Sequence, residues 1–317
     1  MSVAWVLGRG GLLGRAVNLR AEESMTTWAP TEPISWIDEG RYQTTIDSAI
    51  GEFERMVRNS RGNWNLFWCA GVGTIGATEV EIEGELSRLS YLLDALRQRI
   101  GSQISHGTFF YSSSAGALYG GSQEHLVTEE SEVSVNSPYG SMKLGAEKLL
   151  ETWAGETGCR VALGRISNIY GPGQNIRKRQ GLVSAACVSL LKQQPLDLFV
   201  PLDTTRNYIY VSDAAAIAVS FAEKVSTLTR SSVERKIICS PQNLSVAALM
   251  LSIRQVYGRR PPIALSSKLV SGLYNQNLSM ASLRHRDVEP QQFVSPVVGI
   301  AEVRRSLLLD LMDGALV

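Results

Sequence analysis

The amino terminus limits the possible fold more than any other stretch. Val3-Ala4-Trp5-Val6-Leu7 is an unbroken apolar run of strand length, as expected of a strand covered on both faces of a parallel sheet. Gly8-Arg9-Gly10-Gly11-Leu12-Leu13-Gly14 follows at once, and a helical pattern then continues to about Glu22. Glycines allow the tight turn, and the helix that opens after it presents unpaired N–H groups and a positive dipole end. This succession suits a dinucleotide pyrophosphate. Gly8, Arg9, Gly11, Leu12, Leu13 and Gly14 are accordingly candidate cofactor-binding positions.

The next unit is less regular. A second strand is expected over Met25–Ala29, then a break at Pro30 and Pro33, then a short strand over Ile34–Ile37. An acid about 20 residues past the glycines would bind the adenosine ribose hydroxyls. Glu32 is the candidate, although it stands between the two prolines. Asp38 could face the adenine edge or be a solvated turn residue, and Arg9 could meet a ribose 2′-phosphate. NAD and NADP both stay open, with Arg9 leaning toward NADP.

Strand and helix patterns then alternate. An amphipathic helix is predicted over 43–61, with Ile46, Ile50, Phe53 and Val57 on one side. A strand over Asn65–Ala70 runs into Gly71-Val72-Gly73, where backbone can pass close to a cofactor; Ala70, Gly71 and Val72 join the candidates. A helix over 80–99 carries Leu86, Leu89, Leu92, Leu93 and Leu96. Thr108–Tyr111 reads as a strand ending in Ser112-Ser113-Ser114, and Cys159–Ile166 as another. No internal repeat interrupts this order, so the fold class is α/β: a doubly wound parallel sheet of the Rossmann kind. Beyond residue 170 the elements shorten and mix, as in a smaller carboxyl-terminal substrate lobe. The expected division is 1–170 for the dinucleotide-binding domain, with some later segments returning to it, and 171–317 mainly for the lobe.

Tyr139 and Lys143 stand four residues apart in Ser137-Pro138-Tyr139-Gly140-Ser141-Met142-Lys143. On a helix both lie on one face, and an ammonium beside a phenol favours the phenolate. The expectation is a Tyr139 pKa below its reference of about 10, making it a proton donor or acceptor near neutral pH.

Composition excludes several classes. A net charge of +1 gives no basic surface for nucleic acid. Cys69, Cys159, Cys187 and Cys239 lack metal-ligand or disulfide spacing, as do the three histidines, so no metal is expected. No signal-peptide pattern opens the chain and no apolar run approaches the ~20 residues of a membrane span, so a cytoplasmic protein without membrane contact is expected.

Five motifs occur in order: Gly8-x-x-Gly11-x-x-Gly14, the serine run before Leu118-Tyr119-Gly120, Tyr139-x-x-x-Lys143, Arg165-x-x-Asn168-x-Tyr170-Gly171-Pro172, and Arg206-Asn207-Tyr208-Ile209-Tyr210. Together they resemble the NAD(P)-dependent epimerase/dehydratase family, the extended short-chain dehydrogenases/reductases that mostly act on nucleotide sugars. The resemblance implies Tyr139 as catalytic acid/base, Lys143 on the nicotinamide ribose, and Ser114 on the reacting sugar oxygen with Ser113 as fallback. Ser112 and Ile166 fall among the cofactor positions, and Asn168 and Arg206 at positions that hold the sugar diphosphate. It also implies a homodimer through helices 80–99 and 139–155, although Leu89, Leu93 and Leu96 could serve the core instead.

Departures matter as much. Ala115 and Gly116 replace the Asp-Glu pair of the dehydratases, which disfavours dehydration. Gly73 stands where some 4-epimerases have lysine, Asn207 replaces an aspartate, and Glu85 lies near a position that often holds asparagine. The implied function is a nucleotide-sugar 4-epimerase or 4-ketoreductase. The alternatives are a non-catalytic dinucleotide-binding regulator, or a reductase of a small carbonyl compound.

Overall fold

The computed structural model describes residues 2–36, 38–60, 63–71, 79–176, 181–265 and 277–313. In chain order the first elements are β1 (Val3–Leu7), α1 (Leu12–Ala21), β2 (Thr26–Trp28), α2 (Glu39–Asn59), β3 (Trp64–Trp68), α3 (Glu79–Ile100), β4 (Gly107–Ser114) and the short α4 (Ala115–Leu118). Next come β5 (Leu126–Val127), α5 (Pro138–Thr157), β6 (Arg160–Ile166), β7 (Asn168–Tyr170), α6 (Leu182–Lys192), β8 (Leu196–Leu198) and β9 (Thr205–Tyr210). The chain continues through α7 (Val211–Ser226), β10 (Val233–Ile238), β11 (Asn243–Ser245), α8 (Val246–Tyr257), β12 (Ile263–Leu265), β13 (Asn277–Met280) and α9 (Pro296–Met312).

A six-stranded sheet runs β10-β6-β4-β3-β1-β2, with every neighbouring pair parallel. Side chains alternate across it as the pleat requires. Val3, Trp5 and Leu7 pack with α2, α3 and α5; Ala4 and Val6 pack with α1 and α7. Ala214, Ala215, Ala218 and Ala222 leave α7 narrow enough to lie close against the sheet and α1. The chain leaves β1 outward to β2 and returns to β3 on the other side. The crevice between the carboxyl ends of β1 and β3 is therefore the switch point where ligands enter such sheets.

A smaller mixed sheet follows the path β11-β9-β13-β5, with β7 also on β9, and a two-stranded sheet joins β12 to β8. α6, α8 and α9 surround the core of this second region. β10 and α7 come late in the sequence and complete the first sheet.

Three expectations are corrected. β2 is shorter than Met25–Ala29, and residues 31–36 form no strand; Ile37 lies outside the described residues. Pro30 and Pro33 cannot donate to a ladder, so the sheet ends at β2. α2 begins at Glu39, four residues earlier than predicted, because Asp38 caps it by accepting from the Arg41 N–H at 2.7 Å. Leu89, Leu92, Leu93 and Leu96 are all buried in the core between α3 and its neighbours. No helix among the described residues is long and apolar enough to cross a membrane.

Candidate active site

The glycine turn is held by its own backbone. Gly8 has φ +84°, and a Cβ there would lie 2.6 Å from the Ala70 nitrogen. A Cβ on Gly14 would lie 2.2 Å from the Gly8 carbonyl oxygen. These two glycines let β1 turn tightly against β3 and let α1 start directly above the strand. Gly11 caps α1 with no side chain on its N–H groups, so Leu12 and Leu13 contribute their backbone to an open helix amino terminus. Arg9 is exposed on the turn.

A cavity of about 330 Å³ opens beside this turn. Gly8, Gly10 and Gly11 form one wall, Cys69, Ala70 and Gly71 the floor, and Trp36, Trp68, Glu85 and Arg88 the far side. Burial holds the Cys69 thiol up at about 12, so it stays protonated. Among the described residues, two buried donors, Trp68 Nε1 and Arg88 Nε, have no hydrogen-bond partner. A glycine cradle, an open helix terminus and orphaned donors together fit an anionic dinucleotide. Glu32 is exposed beyond β2 and does not line the cavity, and the Asp38 carboxylate is engaged at the α2 cap. Neither expected acid reaches the cleft. Val72 and Gly73 lie outside the described residues.

The serine run sorts itself by strand alternation. Ser113 shares a face with Phe109 and Tyr111 and donates to Glu147 Oε1 at 2.6 Å, inside the protein. The fallback hydroxyl is thus turned away. Ser112 donates to the Trp68 carbonyl at 2.8 Å. Ser114 ends β4 and hydrogen-bonds toward Tyr139, and its register partner is Ile166, whose side chain packs into the core facing α7.

Ser137 accepts from the Gly140 N–H and Pro138 occupies the first turn of α5, so the helix starts where Tyr139 is presented at the sheet edge. The Lys143 ammonium sits 5.5 Å from the Tyr139 ring centroid and 4.8 Å from that of Tyr111. It donates to Glu85 Oε1 at 3.0 Å, the Tyr111 hydroxyl at 3.1 Å and the Ser112 carbonyl at 3.2 Å. Both members of the Lys143–Glu85 pair are buried, at 4% and 5% exposure. Burial acts to lower the Lys143 pKa, but Tyr111, Tyr139 and Glu85 together raise it well above the usual lysine value. Tyr139 departs from expectation. Burial raises its pKa, Lys143 and the Ser114 hydrogen bond oppose this, Glu85 adds to it, and the net direction is up.

One turn further along α5, Glu147 forms a two-pronged ion pair with Arg165, at 3.1 Å to Nε and 2.7 Å to Nη2. Arg165 also donates to the Tyr119 hydroxyl. The arginine of the Arg165-x-x-Asn168 motif is therefore buried framework.

A second cavity, about 310 Å³, lies in the smaller lobe. Asn168, Tyr170, Asp197, Phe199, Arg206 and Tyr208 are among its walls. Asn168 is two residues past Ile166, the register partner of Ser114, so β6 and β7 link this cavity to the Ser114 edge. Asn168 donates to the Asn207 carbonyl at 2.8 Å, and Arg206 Nη1 to the Thr205 carbonyl at 2.8 Å. Asn207 is fully buried, donates to the Ser240 and Gln242 carbonyls, and accepts from Ser167 Oγ and the Ser240 N–H. An aspartate could not donate, which accounts for the amide at this position.

The profile of the NAD dependent epimerase/dehydratase family matches residues 66–233, more than half of the chain. The chain belongs to that family. Among curated relatives, this family member is 32% identical over 105 residues to a putative UDP-glucose 4-epimerase of Methanocaldococcus jannaschii, covering 33% of this chain and 34% of the relative. It spans about a third to about half the length of the curated relatives it matches. Among solved structures, a UDP-glucuronic acid 4-epimerase from Bacillus cereus, in complex with UDP-glucuronic acid and NAD, is similar at TM-score 0.75 and 15% identity, over 98% of this chain and 99% of that one. RMD from Pseudomonas aeruginosa, complexed with NADPH, is similar at TM-score 0.77 and 18% identity, over 96% and 98%.

Glu85, Arg88 and Glu147 were not predicted as site residues. Their signal was present: Glu85 continues the stripe Leu89-Leu92-Leu96 on α3, and Glu147 lies between Lys143 and Leu150 on the buried face of α5. A carboxylate on an apolar stripe requires a buried cation opposite it.

Proposed function

We propose that this protein is an NAD(P)-dependent enzyme that interconverts a hydroxyl and a ketone on a nucleotide sugar, acting as a 4-epimerase. The observation carrying this reading is the convergence of Ser114, Tyr139 and Lys143 at the carboxyl edge of the sheet that also carries the glycine cradle. The turn and the α1 terminus would hold a dinucleotide, which when bound supplies a hydride acceptor and donor. As the phenolate, Tyr139 takes the proton from the sugar hydroxyl and, as the phenol, returns it, and Ser114 orients the same oxygen. Lys143 favours the phenolate that accepts the proton. Asn168 and Arg206 hold the diphosphate, for which a guanidinium is well shaped. Ala115 and Gly116 offer no carboxylate at the start of α4 to remove a carbon-bound proton, which argues against dehydration.

A 4-ketoreductase is the second reading. The exposed Arg9 and the orphaned Arg88 Nε favour it, since both would suit the extra phosphate of NADP. Purified protein is to be mixed with each dinucleotide and a panel of nucleotide sugars. Retained NAD with epimerised sugar and no net cofactor turnover is the expected result. Stoichiometric NADPH consumption would instead establish the reductase, and neither activity with any nucleotide sugar would contradict the proposal.

A further inference from the structure

Neither acid expected after β2 reaches the cleft, yet that segment does place one side chain there. Trp36 lines the cavity of the glycine turn, which Gly8, Gly10 and Gly11 also line. The backbone on either side of it is tied to α2. The Ser35 N–H donates to Thr45 Oγ1 at 3.1 Å, and the Asp38 carboxylate accepts from the Arg41 N–H at 2.7 Å.

The indole is also braced by two other rings. Its centroid lies 5.4 Å from that of Tyr42, with the planes 41° apart, and 5.9 Å from that of Trp68, with the planes 84° apart. Aromatic pairs favour such angled contacts. Tyr42 and Trp68 are themselves buried, and the Tyr42 hydroxyl donates to the Arg88 carbonyl at 2.8 Å. Trp36 is only half-buried. A ring held this firmly at the border of a cavity loses little further freedom when a flat ligand covers it.

Sheet order decides which part of a dinucleotide comes to Trp36. The glycine turn follows β1, in the middle of the sheet; Ser114 ends β4 on one side of it, and β2 is the neighbour on the other. A dinucleotide with its pyrophosphate at the turn and its nicotinamide beside Tyr139 extends its adenosine half toward β2 and the segment after it. Trp36 stands in that segment.

Resting on the dinucleotide reading above, we infer that Trp36 is the platform on which the adenine of the cofactor stacks. The ring anchors the adenosine half where the carboxylates of Glu32 and Asp38 do not reach. A π-face tolerates changes at the edge of the base. Stacking also serves NAD and NADP alike, so Trp36 anchors either one and leaves the choice between them to other groups in the cleft.

Etheno-ADP tests this contact on the whole protein, because its fluorescent base is quenched when an indole stacks on it. Saturated wild-type protein is expected to quench the emission, and saturated Trp36→Leu to leave it unquenched. By calorimetry, Trp36→Leu is expected to lose roughly tenfold to hundredfold in ADP affinity, the scale of one base–aromatic stack. Trp36→Phe keeps a ring and is expected to stay within about fivefold of wild type for ADP. Emission unquenched by the wild-type protein overturns the inference, as does wild-type ADP affinity in Trp36→Leu. An equal loss in the phenylalanine and leucine variants overturns it too, since the ring face would then not matter. Binding of ADP with refusal of etheno-ADP would show the base read at its edge, against the inference. If the wild-type protein binds neither ADP nor any dinucleotide, the cofactor reading itself has failed.

Discussion

The Lys143 ammonium lies 5.5 Å from the ring centroid of Tyr139, one helical turn away on α5, and both face the end of β4. Proximity alone does not make the phenol acidic in this structure. Burial raises the Tyr139 pKa against the pull of Lys143 and Ser114, and Glu85 adds to the rise. At neutral pH Tyr139 is therefore a proton donor until the charge balance around it changes.

A titration of phenolate absorbance follows from this. The wild-type minus Tyr139→Phe difference is expected to show no phenolate below about pH 10, the unfolded reference value. Because the folded form binds the proton more tightly, the contribution of Tyr139 to stability is intact below about pH 10 and declines as pH rises toward the folded pKa. Lys143→Met moves the transition higher, since it removes a group that holds the pKa down. A Tyr139 transition below pH 9 in the ligand-free protein would contradict this balance.

Gly14→Ala tests the cradle. The added Cβ would meet the backbone oxygen of Gly8 at 2.2 Å, and backbone cannot swing aside like a side chain. The α1 terminus must shift, although alanine is the better helix former by about 1 kcal/mol. ADP-ribose affinity measured by calorimetry is expected to fall at least about tenfold, the cost of displacing one hydrogen bond to a charged group. Unchanged affinity would show that the turn does not hold the pyrophosphate.

Much of this site is legible in the sequence, and each miss has its own physical cause. The strand, glycine turn and helix at residues 3–22 were readable because backbone sterics decide them locally. The Tyr139 helix was readable from Pro138 and its spacing. Ser113 went astray because three consecutive serines look alike until strand alternation gives each a face. Counting from the glycines points to Glu32, but the prolines end the strand early, and Asp38, placed at the adenine edge or in a solvated turn, is engaged by the α2 terminus. Burial misled the Tyr139 expectation, since a four-residue spacing says nothing about how much water surrounds the phenol. Glu85 and Arg165 acquire partners 58 and 18 residues away, which no local pattern encodes.

The Arg165–Glu147 pair should be important to the fold. Both side chains are at most 5% exposed, and the carboxylate also accepts from Ser113. Arg165→Met leaves Glu147 buried without its cation and is expected to cost about 3–5 kcal/mol in urea unfolding. Glu147→Met/Arg165→Met removes both charges and should regain a large part of that loss. A single variant within about 1 kcal/mol of wild type would contradict burial of this pair.

Arg206 tests the smaller lobe. Arg206→Met is expected to weaken UDP binding roughly tenfold or more by calorimetry, the scale of a lost charge-assisted hydrogen bond, and to leave ADP-ribose affinity unchanged because the two cavities share no lining residue among the described residues. Equal loss for both ligands would indicate a collapsed fold, and no loss would remove Arg206 from the diphosphate site.

Proton transfer by Tyr139 is tested by the turnover of Tyr139→Phe on whichever nucleotide sugar the wild-type protein converts. The variant lacks only the phenolic hydroxyl. For this variant kcat is expected to fall by about 10²–10⁴, the usual contribution of a positioned acid/base, while ADP-ribose and UDP affinities stay at wild-type values. A kcat within a few-fold of wild type would contradict it.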